Sequence, residues 1–191
     1  MKAIADLLFE VKMLKEIPRA GYHFLGTGKE SVAEHCFSTT FIAYVMARLT
    51  PEADPLRLIS MCLVHDLAEA RTGDLNYVQK KYVKADEEKA IADATGKLPF
   101  GKDIEGLVAE FNGQKTLEAK LAHDADQISF ILDLKSLSDT GGKTPEKWLP
   151  FVVNRLKTDL GKKLAAAITI RNWDDWWIEG YTEDETPENP D

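Results

Sequence analysis

Residues 61–74, MCLVHDLAEARTGD, carry four ionisable side chains directly behind an apolar run. These are His65, Asp66, Glu69 and Asp74. In a helix, the first two project about 100° apart, and the third hangs over the same face one turn later. Gly73 then offers a helix stop, which leaves the fourth in the following loop at the mouth of the same site. A His-Asp pair alone is more often a surface feature than a pair of ligands. Charge beside a core is costly unless a cation or a partner compensates it, so a site here would need further ligands from elsewhere in the chain.

Helical patterns follow one another along the chain. Ser31 and Glu34 form an S-x-x-E capping box, which explains Glu34 without a catalytic role and opens a helix through Leu49. Asp54 and Pro55 supply the N-cap and first-turn proline of the helix that leads into the charged segment. Further helices are predicted for residues 7–14, 86–95, 104–111, 116–139, 144–160 and 164–178.

A chain of 191 residues with 44% hydrophobic content is expected to form one domain. The sequence therefore predicts an all-α, single-domain bundle of irregular type over residues 1–180. Residues 181–191 are acidic, contain two prolines and predict a disordered tail. The last predicted helix carries three tryptophans, for which we expect packing in the core or in a dimer rather than a ligand cage. They are Trp173, Trp176 and Trp177.

Charge and composition exclude several classes of protein. The net charge of −8 argues against binding to nucleic acid polymers, which requires Lys and Arg to neutralise phosphates. A small anionic substrate is compatible with it, because a metal and a few local bases invert the sign inside a cleft. Cys36 and Cys62 are too few for a disulfide framework and indicate a reducing compartment. Without a signal-peptide core or an apolar run of membrane-spanning length, we expect a cytoplasmic protein.

Two further histidines stand beside predicted core segments. His35 lies in the first turns of an apolar helix, where a buried imidazole is either satisfied by hydrogen bonds or ligates a metal. In the string HDADQ, His123 and Asp126 share a helix face, whereas Asp124 points elsewhere. Asp126 precedes the apolar run ISFIL, so its carboxylate is costly unless a ligand binds it or His123 is its hydrogen-bond partner. Residues 19–29 read either as a plain connection or as a functional loop.

Together, His35, the pair His65-Asp66 and Asp126 resemble the H…HD…D pattern of the HD-domain metal-dependent phosphohydrolases. The strings ESVAEH, HDLAEARTGD and PRAGY are similar to the 5′-deoxynucleotidase branch, whose members remove phosphate from deoxynucleoside 5′-monophosphates. The resemblance covers residues 15–137. It implies the HD-domain fold, that same activity, a small-molecule nucleotide substrate and a homodimer or higher homo-oligomer.

The resemblance also implies roles for individual residues. His35, His65, Asp66 and Asp126 match the metal ligands and are expected to hold one divalent ion. Two imidazoles and two carboxylates suit Mn, Co, Fe, Ni or Zn better than Ca, with Mg also open.

Four further positions match the substrate side of the family's site, and Tyr77 is a fifth candidate for substrate binding. Glu69 matches the catalytic carboxylate, and Asp74 matches the loop acid that touches the sugar or the catalytic water. Arg19 falls where the family keeps a phosphate-orienting arginine. Tyr22 falls near an aromatic expected to be Trp, and Tyr77 ends the loop expected to read the deoxyribose. Hydrolysis of a phosphomonoester needs an activated water, charge neutralisation and a proton for the leaving alkoxide, which a divalent ion, these carboxylates and Arg19 can supply.

Two alternatives stay open from sequence. One is an HD enzyme that acts on a cyclic nucleotide, an alarmone or a nucleoside triphosphate. The other is a catalytically silent HD module that senses nucleotides, which the intact set of ligand positions disfavours.

Overall fold

The computed structural model describes residues 1–184, so the predicted tail lies outside the described residues from position 185 onward. Within residues 1–184 the regular structure is helical, apart from a short antiparallel bridge between Pro18 and Ser31. The helices are α1 (Lys2–Met13), α2 (Tyr22–Leu25), α3 (Val32–Leu49), α4 (Pro55–Val64), α5 (Glu69–Thr72), α6 (Glu87–Thr95), α7 (Gly101–Gly113), α8 (Leu117–Asp139), α9 (Lys143–Val153), α10 (Asp159–Ile170) and α11 (Asp175–Asp184), with a 3-10 turn at Gln79–Lys81. The predicted all-α, single-domain bundle is confirmed. No helix in this range is both long and apolar enough to cross a membrane.

Three long helices begin at the side-chain caps that the sequence contains. The Ser31 hydroxyl accepts a hydrogen bond from the Glu34 N–H, and the Glu34 carboxylate accepts one from the Ser31 N–H, which completes the capping box of α3. Asp54 caps α4 and Thr116 caps α8 in the same way through their side-chain oxygens. Each cap contributes about 1 kcal/mol and determines the residue at which its helix starts.

Helix α8 is the centre of the bundle, and α3, α4, α7, α9 and α10 all contact it. Its completely buried side chains pack against those of α3 and α4. They include Leu121, Ile131 and Leu134 from α8, Met46 from α3, and Leu58 and Met61 from α4. Each such side chain contributes about 1.5–3 kcal/mol when it leaves water. The packing places the first turns of α3, the end of α4 and the middle of α8 side by side.

The C-terminal third differs from the predicted helix pattern. The helix expected over residues 144–160 ends at Val153, and α10 begins at Asp159. The chain turns between them because the buried Asp124 carboxylate accepts the N–H groups of Lys157 and Thr158, and Thr158 then caps α10. The helix expected over residues 164–178 is also interrupted, since Arg171 is extended at φ −89° and ψ 149°.

Helix α11 carries the chain past the predicted start of the tail, because residues 181–184 are helical. Trp173, Trp176 and Trp177 do not enter the core, which was one of the two kinds of packing we expected for them. Trp176 is 76% exposed, and Trp173 and Trp177 are about half exposed. Leu117 and Leu132 of α8 are also partly exposed.

Candidate functional site

Two histidines and two aspartates from three different helices converge beside α8. His35 comes from the first turns of α3, His65 and Asp66 follow the last residue of α4, and Asp126 comes from the middle of α8. Nε2 of His35 lies 3.0 Å from Oδ1 of Asp126 and 3.7 Å from Oδ2 of Asp66. Nε2 of His65 lies 3.2 Å from Oδ2 of Asp66. Potential ligand atoms of His35, His65 and Asp126 all lie within 4.8 Å of one another, so these three side chains could hold one metal ion.

The surroundings of His65 fit a bound cation. Its Nδ1 lies 2.8 Å from the carbonyl oxygen of Cys62, which can only accept, so Nδ1 carries a hydrogen and the neutral ring leaves a lone pair on Nε2. That lone pair faces the Asp66 carboxylate, another acceptor, and Nε2 has no satisfactory hydrogen-bond partner among the described residues. Two acceptors held this closely need a proton or a metal ion. Burial opposes protonation of His65, but Asp66 outweighs it and raises the histidine pKa to about 9.

His35 is completely buried and has polar groups on both ring nitrogens. Nδ1 lies 3.4 Å from the Ser129 hydroxyl and 3.8 Å from the Glu30 carboxylate, which leaves Nε2 facing Asp126. Burial alone would raise the pKa of Asp126, but the contact with His35 overcomes it and holds that pKa below its usual range. Asp126 is therefore an ionised carboxylate in a buried site, which is the form that binds a cation.

Glu69 and Asp74 lie on the open side of this group. Burial, followed by the charges of Asp66 and Asp74, raises the pKa of Glu69 to about 8. One carboxylate oxygen of Glu69 is buried and finds no hydrogen-bond partner within the described part of the chain. Gly73 follows α5 with φ +71° and ψ 162°, a backbone region that essentially only glycine occupies and that costs a residue with a side chain about 1–3 kcal/mol. The turn directs Asp74 toward the loop at residues 19–29, where Oδ2 accepts the N–H of Ala20 at 2.8 Å.

Arg19 brings a positive charge to the same place. Its Nη1 lies 3.3 Å from Oδ2 of Asp66, and its Nε lies 3.8 Å from Glu30. The backbone of this residue is fixed, because its N–H donates to the carbonyl of Glu30 next to the bridge between Pro18 and Ser31. The loop at residues 19–29 is therefore a wall of the site as well as a connection.

A pocket of about 300 Å³ opens beside these groups. Arg19, Asp74 and Tyr77, the three substrate-side candidates that come from loops, all line it. Tyr22 is buried in its wall, with its hydroxyl donating to Asp133. Tyr77 lies at the rim, 72% exposed, with Nζ of Lys81 4.3 Å from the centre of its ring.

The pocket is also lined by residues that the sequence patterns did not single out. They are Asn76, Lys80, Phe111, Gln127, Phe130, Trp148 and Arg155. Gln127 directly follows Asp126, and Nη1 of Arg155 lies 3.4 Å from the side-chain oxygen of Gln127. Helix periodicity could have identified Ser129 and Phe130, which lie three and four residues after Asp126 on the same face of α8. Nothing local marks Trp148 or Arg155, because they reach the pocket only through the packing of α9 on α8.

The second His-Asp pair has a structural role that differs from the one expected. His123 was a possible partner for Asp126, but its Nδ1 lies 3.5 Å from Asp124 instead. Asp124 is completely buried on the side of α8 facing α10 and accepts the N–H groups of Lys157 and Thr158 at 2.7 Å each. The two aspartates of HDAD thus serve opposite faces of one helix, one toward the fold and one toward the pocket.

Comparisons with known proteins place the chain in a family. A family model described as "HD domain" matches residues 11–168. The protein named 5′-deoxynucleotidase HDDC2 from Danio rerio is 30% identical over 139 residues, which are 70% of this chain and 68% of the relative. The protein of the same name from Homo sapiens is 27% identical over 186 residues, covering 87% and 90%. A solved structure, a conserved hypothetical protein from Pyrococcus furiosus, superposes with a TM-score of 0.74 at 26% identity over 87% of this chain and 99% of that one. Sequence, fold and buried His/Asp group agree, and the chain belongs to the HD-domain family.

Proposed function

We propose that this protein is a metal-dependent 5′-nucleotidase that hydrolyses deoxyribonucleoside 5′-monophosphates to a deoxynucleoside and phosphate. The observation that carries the proposal is the convergence of the His/Asp group with Arg19, Glu69 and Asp74. All of these residues except His35 line a single pocket. Similarity to proteins named 5′-deoxynucleotidase over most of the chain supports the same substrate class.

His35, His65, Asp66 and Asp126 are the residues that would hold one divalent ion, with the two carboxylates and the bare Nε2 of His65 as the strongest donors. When bound, such an ion lowers the pKa of water and neutralises charge on the phosphoryl group. Nitrogen and oxygen donors in this ratio suit Mn, Co, Fe, Ni or Zn, and Mg is compatible with the carboxylates. The ring of His65 is already oriented for this role, because Cys62 fixes its tautomer.

The remaining charged groups provide binding and proton transfer. Arg19 presents a planar fork beside the metal-binding group, where it can donate to two phosphate oxygens. Glu69, whose pKa is raised to about 8 by burial and nearby carboxylates, exchanges a proton readily near neutral pH. It can therefore take a proton from the attacking water or deliver one to the leaving 5′ oxygen. Asp74, held by the Ala20 N–H, borders the position of the sugar.

The aromatic residues that line the pocket suit a nucleoside. Phe130 and Trp148 form an edge-to-face pair with ring centroids 6.1 Å apart, and the ring centroid of Tyr22 lies 6.5 Å from that of Phe130. Aromatic faces of this kind bind a base or sugar by contact without selecting one base strongly. Tyr77 and the loop that precedes it complete the sugar side, and we assign the deoxy preference to this wall.

Phosphate release from the five common deoxynucleoside monophosphates, against their ribo counterparts, tests the proposal. The protein is first stripped of metal and then supplied separately with Co, Mn, Mg or Zn. We expect turnover of deoxy monophosphates and its loss in Asp126→Asn. Turnover of only cyclic or polyphosphorylated nucleotides, or metal binding without any turnover, would refute it in favour of another HD hydrolase or of a nucleotide sensor.

The proposal extends to assembly and location. Phe37, Phe41 and Tyr44 form an exposed apolar stripe at helical spacing on α3 and are 74%, 59% and 51% exposed. A stripe of this kind fits the interface of a homodimer, and light scattering of purified protein measures the state directly. Both cysteines are free and buried, which suits the cytoplasm.

A further inference from the structure

A second group of potential metal ligands overlaps the first. Potential ligand atoms of Cys36, His65 and Asp66 also lie within 4.8 Å of one another. Cys36 directly follows His35 on α3 and is only 6% exposed. Successive residues of a helix project about 100° apart, so the imidazole of His35 and the thiol of Cys36 border the same space from two directions.

A second observation at this place is the ring of His65. Nε2 of His65 is buried and has no satisfactory hydrogen-bond donor among the described residues, and a ring nitrogen of His65 lies within 4.8 Å of the thiol sulfur. On the other side Cys36 packs against Leu14 and Val32, which offer sulfur only apolar contact. Metal–ligand bonds of 2.0–2.3 Å place two ligands of a tetrahedral ion roughly 3.5 Å apart. Small side-chain rotations are therefore enough to bring the three atoms onto one ion.

We propose that Cys36, His65 and Asp66 form a thiolate-containing site for a soft divalent cation such as Cd²⁺ or Zn²⁺. Binding replaces the thiol hydrogen with the metal, and the proton leaves to solvent without any change of oxidation state. The site and the His35–His65–Asp126 group share His65, so the two sites cannot be filled at the same time. Sulfur favours Cd²⁺ and Zn²⁺, whereas Mg²⁺ and Mn²⁺ prefer oxygen and nitrogen, so the identity of the ion decides which site is filled.

A consequence for activity rests on the proposed function. An ion bound to Cys36 withdraws His65 and Asp66 from the group that would support hydrolysis. Low concentrations of Cd²⁺ should therefore inhibit phosphate release supported by Mn²⁺ or Mg²⁺.

Cadmium titration of metal-stripped full-length protein tests the binding directly, without reference to hydrolysis. Thiolate coordination produces a charge-transfer absorption in the ultraviolet, and the probe is Cd²⁺ alone. We expect this band, saturating at one ion per chain, in the wild type and in the control Cys62→Ala, which removes the other thiol. Cys36→Ser and Cys36→Ala should lose the band and bind Cd²⁺ at least about tenfold more weakly, the minimum loss seen when even an outer partner of a ligand is removed.

Several outcomes overturn the inference. The inference fails if the band persists in both Cys36 variants, if the wild type binds Cd²⁺ with no thiolate band, or if a second ion binds without displacing the first. Circular dichroism verifies that the variants are folded, and two replacements guard against the failure of one. If the band behaves as expected while the nucleotide panel shows no turnover, the proposed function fails and the cysteine site stands. If nucleotides are hydrolysed but the band is absent, the cysteine site fails alone.

Discussion

The two aspartates of the HDAD segment should separate stability from activity when each is changed to asparagine. Asp124 is completely buried, and its carboxylate accepts hydrogen bonds from the Lys157 N–H and from the N–H and hydroxyl of Thr158, all at 2.7 Å. In Asp124→Asn one oxygen is replaced by an NH₂ group that cannot accept. The two bonds from Thr158 share one oxygen, so the best orientation of the amide loses only the bond from Lys157. The two bonds from Thr158 then go to a neutral oxygen and lose their charge assistance.

A hydrogen bond to a charged acceptor contributes about 1.5–3 kcal/mol, and one to a neutral acceptor about 0.5–1.5 kcal/mol. Losing one charge-assisted bond and weakening two others should lower the free energy of unfolding of Asp124→Asn by about 3–5 kcal/mol. For a domain of this size, each kcal/mol shifts Tm by about 2–4 °C, which predicts a fall of roughly 10 °C. Burial tends to raise the pKa of Asp124, but its hydrogen bonds hold that pKa below the ordinary value. A lowered folded-state pKa stabilises the fold above the unfolded value of about 3.9 and loses that effect as pH falls through the folded value. The difference in the free energy of unfolding between wild type and variant should therefore be complete at pH 7 and become smaller below about pH 4.

The measurement is urea unfolding from pH 3 to pH 7, joined to thermal melts with and without Mn²⁺. Asp126→Asn is the matched control, two residues away on the same helix. Asp124→Asn should melt early yet keep its stabilisation by Mn²⁺, whereas Asp126→Asn should lose that stabilisation. A wild-type Tm for Asp124→Asn, or loss of its response to metal, would refute the assignment of the two faces of α8.

Three other substitutions probe the pocket. Arg19→Lys keeps the positive charge but loses the planar fork, so kcat/KM for a deoxynucleoside monophosphate should fall about 10- to 100-fold while metal affinity is retained. An unchanged kcat/KM would contradict phosphate binding by Arg19. Glu69→Gln preserves shape and removes the proton-accepting group, so kcat should fall by about two to four orders of magnitude while isothermal titration still detects metal binding. Gly73→Ala has space for its methyl group but is strained at φ +71°, so Tm should drop by a few degrees. The activity of this variant should fall by more than its stability, because Asp74 moves. Activity equal to that of the wild type would show that this turn does not position Asp74.

Local signals in the sequence account for the starts of three helices and for the His/Asp group of the site. Ser31, Asp54 and Thr116 are side-chain caps, and a cap acts on groups within three residues, so the starts of α3, α4 and α8 can be read directly. The H…HD…D pattern likewise identifies groups that the structure brings together, although their roles as ligands stay predictions.

Long-range contacts account for what the sequence could not show. The chain turns before α10 because Asp124, far away on α8, binds Lys157 and Thr158, and no pattern near residues 154–158 indicates that partner. The same limit explains why the sequence left His123 open as a hydrogen-bond partner of Asp126. Helical spacing gives the faces of a helix, but which face meets the pocket depends on α10 packing against α8.

The location of the His/Asp group on three separate helices affects the order of events in folding. His35, His65 and Asp126 are far apart in the sequence and become neighbours only after α3 and α4 have docked on α8. Because the group is complete only in the native packing, an ion bound there stabilises the native state more than the folding transition state. Metal would then slow unfolding and leave the rate of folding almost unchanged. Its effect on the folded chain would be a longer lifetime rather than a faster formation.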